Sequence, residues 1–149
     1  MSLWKTETSK DGVVVATYTN PPMNYFCADG TRELVELIEK WKSPDVRVVI
    51  LTGGMAGKFI THYSVEELVE YASDREALRR AGIGLTAGYH GMLDDLRRLP
   101  KPVIVAMNGE FAGAATGSIR AMRPNRRCSS MAPRTQGKPS SSAPGPATA

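Results

Sequence analysis

The chain reads as an α/β protein in which strand pairs alternate with helices. Three observations predict this. Apolar runs rich in β-branched residues recur at Val13-Val14-Val15, Val48-Val49-Ile50-Leu51 and Val103-Ile104-Val105, as in buried strands. Between them, apolar residues repeat at helical spacing. Proline and glycine pairs punctuate the joints.

Each element follows from local sequence. Leu3 to Thr8 and Val13 to Thr19 are expected strands, joined by a turn at Asp11-Gly12. Asn20-Pro21-Pro22-Met23-Asn24 is a loop, because paired prolines cannot continue a ladder. A helix is expected over 28–42, with Leu34, Leu37, Ile38 and Trp41 on one face. Ser43-Pro44 ends it. Arg47 to Thr52 is a buried strand broken by Gly53-Gly54, and Phe59-Ile60-Thr61 reads as a short strand. Ser64 and Glu67 have capping-box spacing and open a short helix through Leu68 and Val69. Residues 73–76 are either a mobile connection or the next helix start. A longer helix is expected within 77–98, burying Leu85, Tyr89, Met92, Leu93 and Leu96. Gly82, Gly84 and Gly88 weaken its first half. Pro100 and Pro102 fence a last strand over 103–107.

Composition divides the chain in two. Its 149 residues suffice for one domain with a core. Residues 119–149 hold Arg120, Arg123, Arg126, Arg127, Arg134 and Lys138, with no acid. Residues 1–118 therefore carry 13 basic and 15 acidic groups, a net charge of −2 within a chain of net +4. The 119–149 segment also holds five of the ten prolines and no Leu, Val, Phe, Tyr or Trp. Such a composition predicts a disordered basic tail after a domain over 1–118. No window has the roughly 18 apolar residues of a membrane span. The N-terminus lacks the apolar centre of a signal peptide. Cys27 and Cys128 form neither a disulfide framework nor a metal pattern, and a cytoplasmic location with two free thiols is expected.

The segment most suggestive of chemistry is Lys101-Pro102-Val103-Ile104-Val105-Ala106-Met107-Asn108-Gly109-Glu110-Phe111-Ala112-Gly113-Ala114-Ala115-Thr116-Gly117. A short apolar run ends in Asn-Gly, and small residues follow where a helix can begin. Free backbone N–H groups at such a place suit a developing negative charge. With Leu99-Pro100 before it, this segment resembles the second oxyanion-hole segment of the enoyl-CoA hydratase/isomerase (crotonase) family. Asn20-Pro21-Pro22-Met23-Asn24 looks like the family's loop before its first helix. Val48-Val49-Ile50-Leu51-Thr52-Gly53 and Gly57-Lys58-Phe59-Ile60-Thr61-His62-Tyr63-Ser64 follow in family order. The resemblance covers Leu3 to about Ser118.

The resemblance implies an incomplete crotonase-like fold of ββα units that binds an acyl-CoA thioester. The backbone N–H groups of Tyr63 and Ala114 would hold the thioester oxygen and stabilise an enolate, each such donor contributing about 10²–10³ in rate. Met23, Lys58, Phe59, Ile60 and Gly113 would line the substrate site, with Lys58 near the coenzyme A phosphates or simply solvated. His62 is a candidate acid/base or decarboxylation aid, or an exposed loop residue. Coenzyme A arrives as part of the substrate, so no separate cofactor or metal is implied. The family also implies a homotrimer or hexamer, and the C-terminal region used for that assembly has no counterpart in the tail.

Departures from the family narrow the chemistry. His62-Tyr63-Ser64 stands where Gly-Ala-Asp is usual. The first hydratase glutamate falls at Gly117, and the second would fall in the acid-free tail. Isomerase, decarboxylase or hydrolase chemistry is thus favoured over hydration. The abrupt change of composition after Gly117 is expected of a divergent, truncated or frameshifted tail. Two other function classes remain: a non-catalytic fragment, and a nucleic-acid-binding adaptor acting through the basic tail. No aromatic interleaves that tail and no nucleic-acid module is present, so only salt-sensitive adhesion is expected of it, without specific nucleic-acid recognition.

Overall fold

The structure of the protein, a computed structural model, describes residues 2–112. Ala114, Gly113, Gly117 and the 119–149 tail lie outside those residues, as does the side chain of Leu85.

The sheet is built as the apolar runs require. Strands β1 (Trp4–Thr8) and β2 (Val13–Tyr18) form an antiparallel hairpin. Gly12 at its turn has φ +76°, a conformation that favours glycine. Strands β3 (Val48–Gly53) and β5 (Val103–Ala106) add in parallel, giving the order β1-β2-β3-β5. Parallel neighbours need crossover connections. Helix α1 (Ala28–Trp41) crosses from β2 to β3. Helices α2 (Val65–Ser73), α3 (Arg75–Ala81) and α4 (Ala87–Arg98) lie on the way to β5. A pair of two-residue parallel strands, β4 (Gly57–Lys58) and β6 (Gly109–Glu110), stands apart.

One face of the sheet makes the core. Val14, Ala16, Tyr18, Val49 and Leu51 cluster with Leu34, Ile38 and Trp41 of α1 and with Met92, Leu93 and Leu96 of α4. Trp4 closes one end, its indole N–H donating to the Gly30 carbonyl at 2.9 Å. Gly30 also admits the Tyr18 ring, since a Cβ there would lie 2.9 Å from it. Glu33 holds the start of β1 by accepting from the Leu3 and Trp4 amides.

Two departures from the sequence reading, and one choice that it left open, have physical causes. The expected long helix over 77–98 is divided into α3, a 3-10 turn over Gly82–Thr86, and α4. Gly82 has φ +51° and returns its N–H to Leu78, so the weak helix formers end α3 rather than merely softening it. Residues 73–76 resolve as a helix start, with Asp74 Oδ1 accepting from the Ala77 amide at 2.8 Å. The regular strand near 59–61 is shifted to Gly57–Lys58, because the Phe59 carbonyl is taken by the Asn24 side chain.

Lys101 marks the far end of α1. Its ammonium donates at 2.6 Å to the Trp41 carbonyl, one of the acceptors that a helix C-terminus leaves open, and to the Ser43 carbonyl just beyond the helix. Lys101→Met is expected to lower stability by about 1 kcal/mol, read from urea unfolding, with an unchanged fold by circular dichroism.

Candidate active site

Two stretches of backbone zip together to form the site. The first is 20–28 and the second is 57–67. Asn24 is their central pin. It is fully buried, with φ +59°, a left-handed conformation that asparagine tolerates. Its Oδ1 accepts from the Asn20 amide at 2.6 Å, and its Nδ2 donates to the carbonyls of Tyr18 and Phe59. Thr61 adds a hydroxyl bond to the Met23 carbonyl at 2.5 Å. Further along, the Phe26 amide donates to the His62 carbonyl and the Ser64 amide to the Phe26 carbonyl, both at 2.7 Å.

Those last two bonds orient Tyr63. In a parallel bridge, the paired residue on one strand bonds to both neighbours of its partner, and the partner's own N–H faces the other edge. Phe26 and Tyr63 form such a bridge, so the Tyr63 N–H is turned away from Phe26. It meets no acceptor among the described residues.

The third stretch approaches from that other edge. Glu110 accepts from the Phe59 amide at 2.9 Å, and the Ala112 amide reaches the Ile60 carbonyl at 3.4 Å. Ala112 lies two positions before Ala114, and Ile60 three before Tyr63. The described backbone thus ends beside the segment that leads to Tyr63. Asn108 anchors this approach by bonding both the N–H and the C=O of Gly53, at 3.2 and 2.7 Å, as a strand backbone would. The pairing of β4 with β6 was not foreseen from sequence. Its signal is Gly109, where any Cβ would strike β4 backbone.

The other candidate residues divide by environment. Phe59 and Ile60 are buried in the core, so their backbone shapes the site while their side chains support it. The Lys58 ammonium donates to the Pro22 carbonyl at 3.0 Å and lies 3.2 Å from Met23 Sδ, tying these two residues to one corner. His62 is exposed, and its Nδ1 lies 2.8 Å from the Tyr63 carbonyl. A carbonyl only accepts, so Nδ1 carries the hydrogen and Nε2 is the basic nitrogen of the neutral ring.

Tyr63 itself packs edge-on against Phe26 and Tyr89, at ring separations of 6.4 and 6.2 Å. Burial, and then the charge of the nearby Glu67, push its hydroxyl well above the ordinary phenol range. It therefore stays neutral through the neutral pH range. Burial raises the Tyr18 hydroxyl likewise, aided by its bond to the Cys27 thiol.

Glu67 plays a part that its spacing hid. Ser64 Oγ accepts from the Glu67 amide at 3.3 Å, which is half of the expected capping box. The reciprocal half is absent, because the Ser64 amide is spent on Phe26. The Glu67 carboxylate instead accepts from the Ala28 amide, the first of α1, at 2.9 Å. Among the described residues, no group of three or more His, Cys, Asp or Glu side chains is placed to hold a metal ion. No helix there is long and apolar enough to cross a membrane.

The fold is shared with solved enzymes. The chain superimposes on an enoyl-CoA hydratase from Bacillus anthracis with a TM-score of 0.68 at 23% identity, over 80% of this chain and 45% of the other. An enoyl-CoA hydratase/isomerase from Marinobacter aquaeolei gives 0.71 at 17% identity, over 82% and 47%. One from Xanthobacter autotrophicus Py2 gives 0.70 at 20%, over 81% and 44%. The chain thus spans under half the length of these structures, as an incomplete crotonase-like fold does. No curated protein matches it in sequence. The family model for enoyl-CoA hydratase/isomerase, however, matches residues 8–121, which include both the Tyr63 loop and the 109–112 approach. With the motif order, the mixed sheet of crossover-linked strands and this match in agreement, the chain belongs to the enoyl-CoA hydratase/isomerase family.

Proposed function

We propose that the chain binds an acyl-CoA thioester and stabilises its enolate through the Tyr63 backbone N–H, with the Ala114 N–H as second donor. The observation that carries this reading is the Tyr63 amide, turned by its bridge with Phe26 towards the edge where residues 109–112 arrive. When a proton leaves the carbon next to the thioester, charge moves onto the carbonyl oxygen. A fixed amide donor favours that charged state over the neutral thioester, and needs no reorganisation.

The proton acceptor is the less constrained part. His62 offers a basic Nε2 one residue from the oxyanion donor. Gly117 and the acid-free tail supply no pair of glutamates for activating water. Isomerisation, decarboxylation or thioester hydrolysis therefore fits these residues better than hydration. A second reading has its own support. Gly117 stands where a hydratase acid would be, and no acid follows in 119–149, which favours a chain that binds acyl-CoA without turning it over.

A side-chain change should leave a backbone donor intact. Tyr63→Phe is expected to bind acetoacetyl-CoA within about twofold of wild type by titration calorimetry. Tyr63→Pro removes the N–H itself and should weaken binding at least about tenfold, the scale of one hydrogen bond to developing charge. Equal affinity of the proline variant and wild type would reject the oxyanion assignment. Binding without turnover of crotonyl-CoA selects the non-catalytic reading.

A further inference from the structure

We infer that Glu67 is a positioning residue, which clamps the Tyr63 loop and helix α2 to the N-terminus of α1. The inference rests on the proposed role of the Tyr63 amide and adds a residue that holds it in place.

Helix α2 has little else to hold it. None of its residues is buried, and Val65, Leu68 and Val69 are all exposed. A helix of nine residues is too short to be stable by itself in water. Its attachment comes from its first turn. Ser64 caps it, and the Glu67 carboxylate crosses to the Ala28 amide.

The receiving end is well matched to a carboxylate. The first turn of α1 presents amides that have no partner within the helix. Cys27 Sγ accepts from the Gly30 amide at 3.4 Å, and Glu67 takes that of Ala28. The helix dipole favours a negative group at this position. One carboxylate therefore joins two helix starts, that of α2 on which it sits and that of α1 which it caps.

Tyr63 lies inside this closure. Phe26 grips the backbone on either side of it through His62 and Ser64. Glu67 then closes the next turn onto Ala28, two residues after Phe26. Its charge also lies near the Tyr63 ring, which packs on Phe26. Loss of the carboxylate would leave the end of the zipper at Ser64. The two Phe26 bonds on either side of Tyr63 would then be the last ones holding its amide, with nothing beyond Ser64 to steady them.

Hydrogen exchange on the full chain tests the clamp directly. Glu67→Ala should raise exchange about tenfold at Ala28 and across 63–71, with the β2, β3 and α1 interior unchanged. Glu67→Gln keeps a neutral acceptor and should recover most of the protection. Glu70→Ala, exposed on the same helix, should match wild type. Unchanged exchange in Glu67→Ala, or no recovery in Glu67→Gln, overturns the clamp. Acetoacetyl-CoA titration supplies the second readout. Affinity should fall about tenfold in Glu67→Ala and stay near wild type in Glu67→Gln. Faster exchange with unchanged affinity overturns the positioning role. A wild-type chain that fails to bind acetoacetyl-CoA counts against the proposed function, and the exchange comparison still decides whether Glu67 clamps α2.

Discussion

Asn24→Ala is expected to lower the stability of the chain by about 3–5 kcal/mol in urea unfolding. The substitution removes a side chain that is fully buried and engaged at every polar atom. It strands the Asn20 amide and unpairs the Phe59 carbonyl, while the Tyr18 carbonyl keeps its bond from the Gly54 amide at 2.7 Å. Each buried group left without a partner costs about 1–3 kcal/mol. Alanine must also hold the φ of +59° that asparagine tolerates, at a cost of about 1 kcal/mol. Two companion variants separate the terms. Asn24→Gly relaxes the backbone and should recover only that last part. Asn24→Asp keeps an acceptor for Asn20 but sets a carboxylate oxygen against two carbonyls, so it should be no more stable than the alanine variant at neutral pH. A loss under about 1 kcal/mol in Asn24→Ala would show that the pin is dispensable.

The same residue shows what could be read before the structure. Its place in the Asn20–Asn24 loop was legible as a motif, and the loop was correctly expected where two prolines forbid a ladder. The bonding of Asn24 to Phe59 was not, because it joins positions 35 apart in sequence. The sheet strands were legible for the opposite reason. Val14, Val49 and Leu51 belong to runs whose apolar character is local and continuous. Helix α1 was equally plain, since Leu34, Ile38 and Trp41 repeat at helical spacing and are all buried. Glu67 was misread in part because its spacing from Ser64 has a local explanation. A long-range competitor, the Ala28 amide, claimed its carboxylate. Lys101 likewise looked like part of a strand border and proved to cap a helix some sixty residues earlier. The candidate site follows this division. Its local part, the Tyr63 loop, is recognisable in one-dimensional order, and its geometry depends on three distant stretches meeting.

That dependence makes Gly109 the most sensitive point of the third stretch. A Cβ there would lie 2.1 Å from the Gly57 carbonyl carbon and 2.3 Å from the Lys58 nitrogen. Both are backbone atoms of β4, so no side-chain rotation relieves the clash, and β6 must move away. Gly109→Ala should therefore break the β4–β6 pairing and the bonds from Phe59 to Glu110 and from Ala112 to Ile60. The stability loss should be moderate, about 1–3 kcal/mol, because overpacking can be relieved by displacing a two-residue strand rather than the core. The functional loss should be larger. With 109–112 displaced, the described backbone no longer ends beside the segment that leads to Tyr63, and acetoacetyl-CoA affinity should fall at least about tenfold. Gly91→Ala is the matched control, since nothing lies within 4 Å of a Cβ there and the position is helical. It should gain about 0.5–1 kcal/mol and keep wild-type affinity. Exchange at Phe59 reports the pairing independently of ligand. Its amide should lose protection in Gly109→Ala and keep it in Gly91→Ala. Retained protection together with wild-type affinity would mean that the contact between β4 and β6 does not set the site.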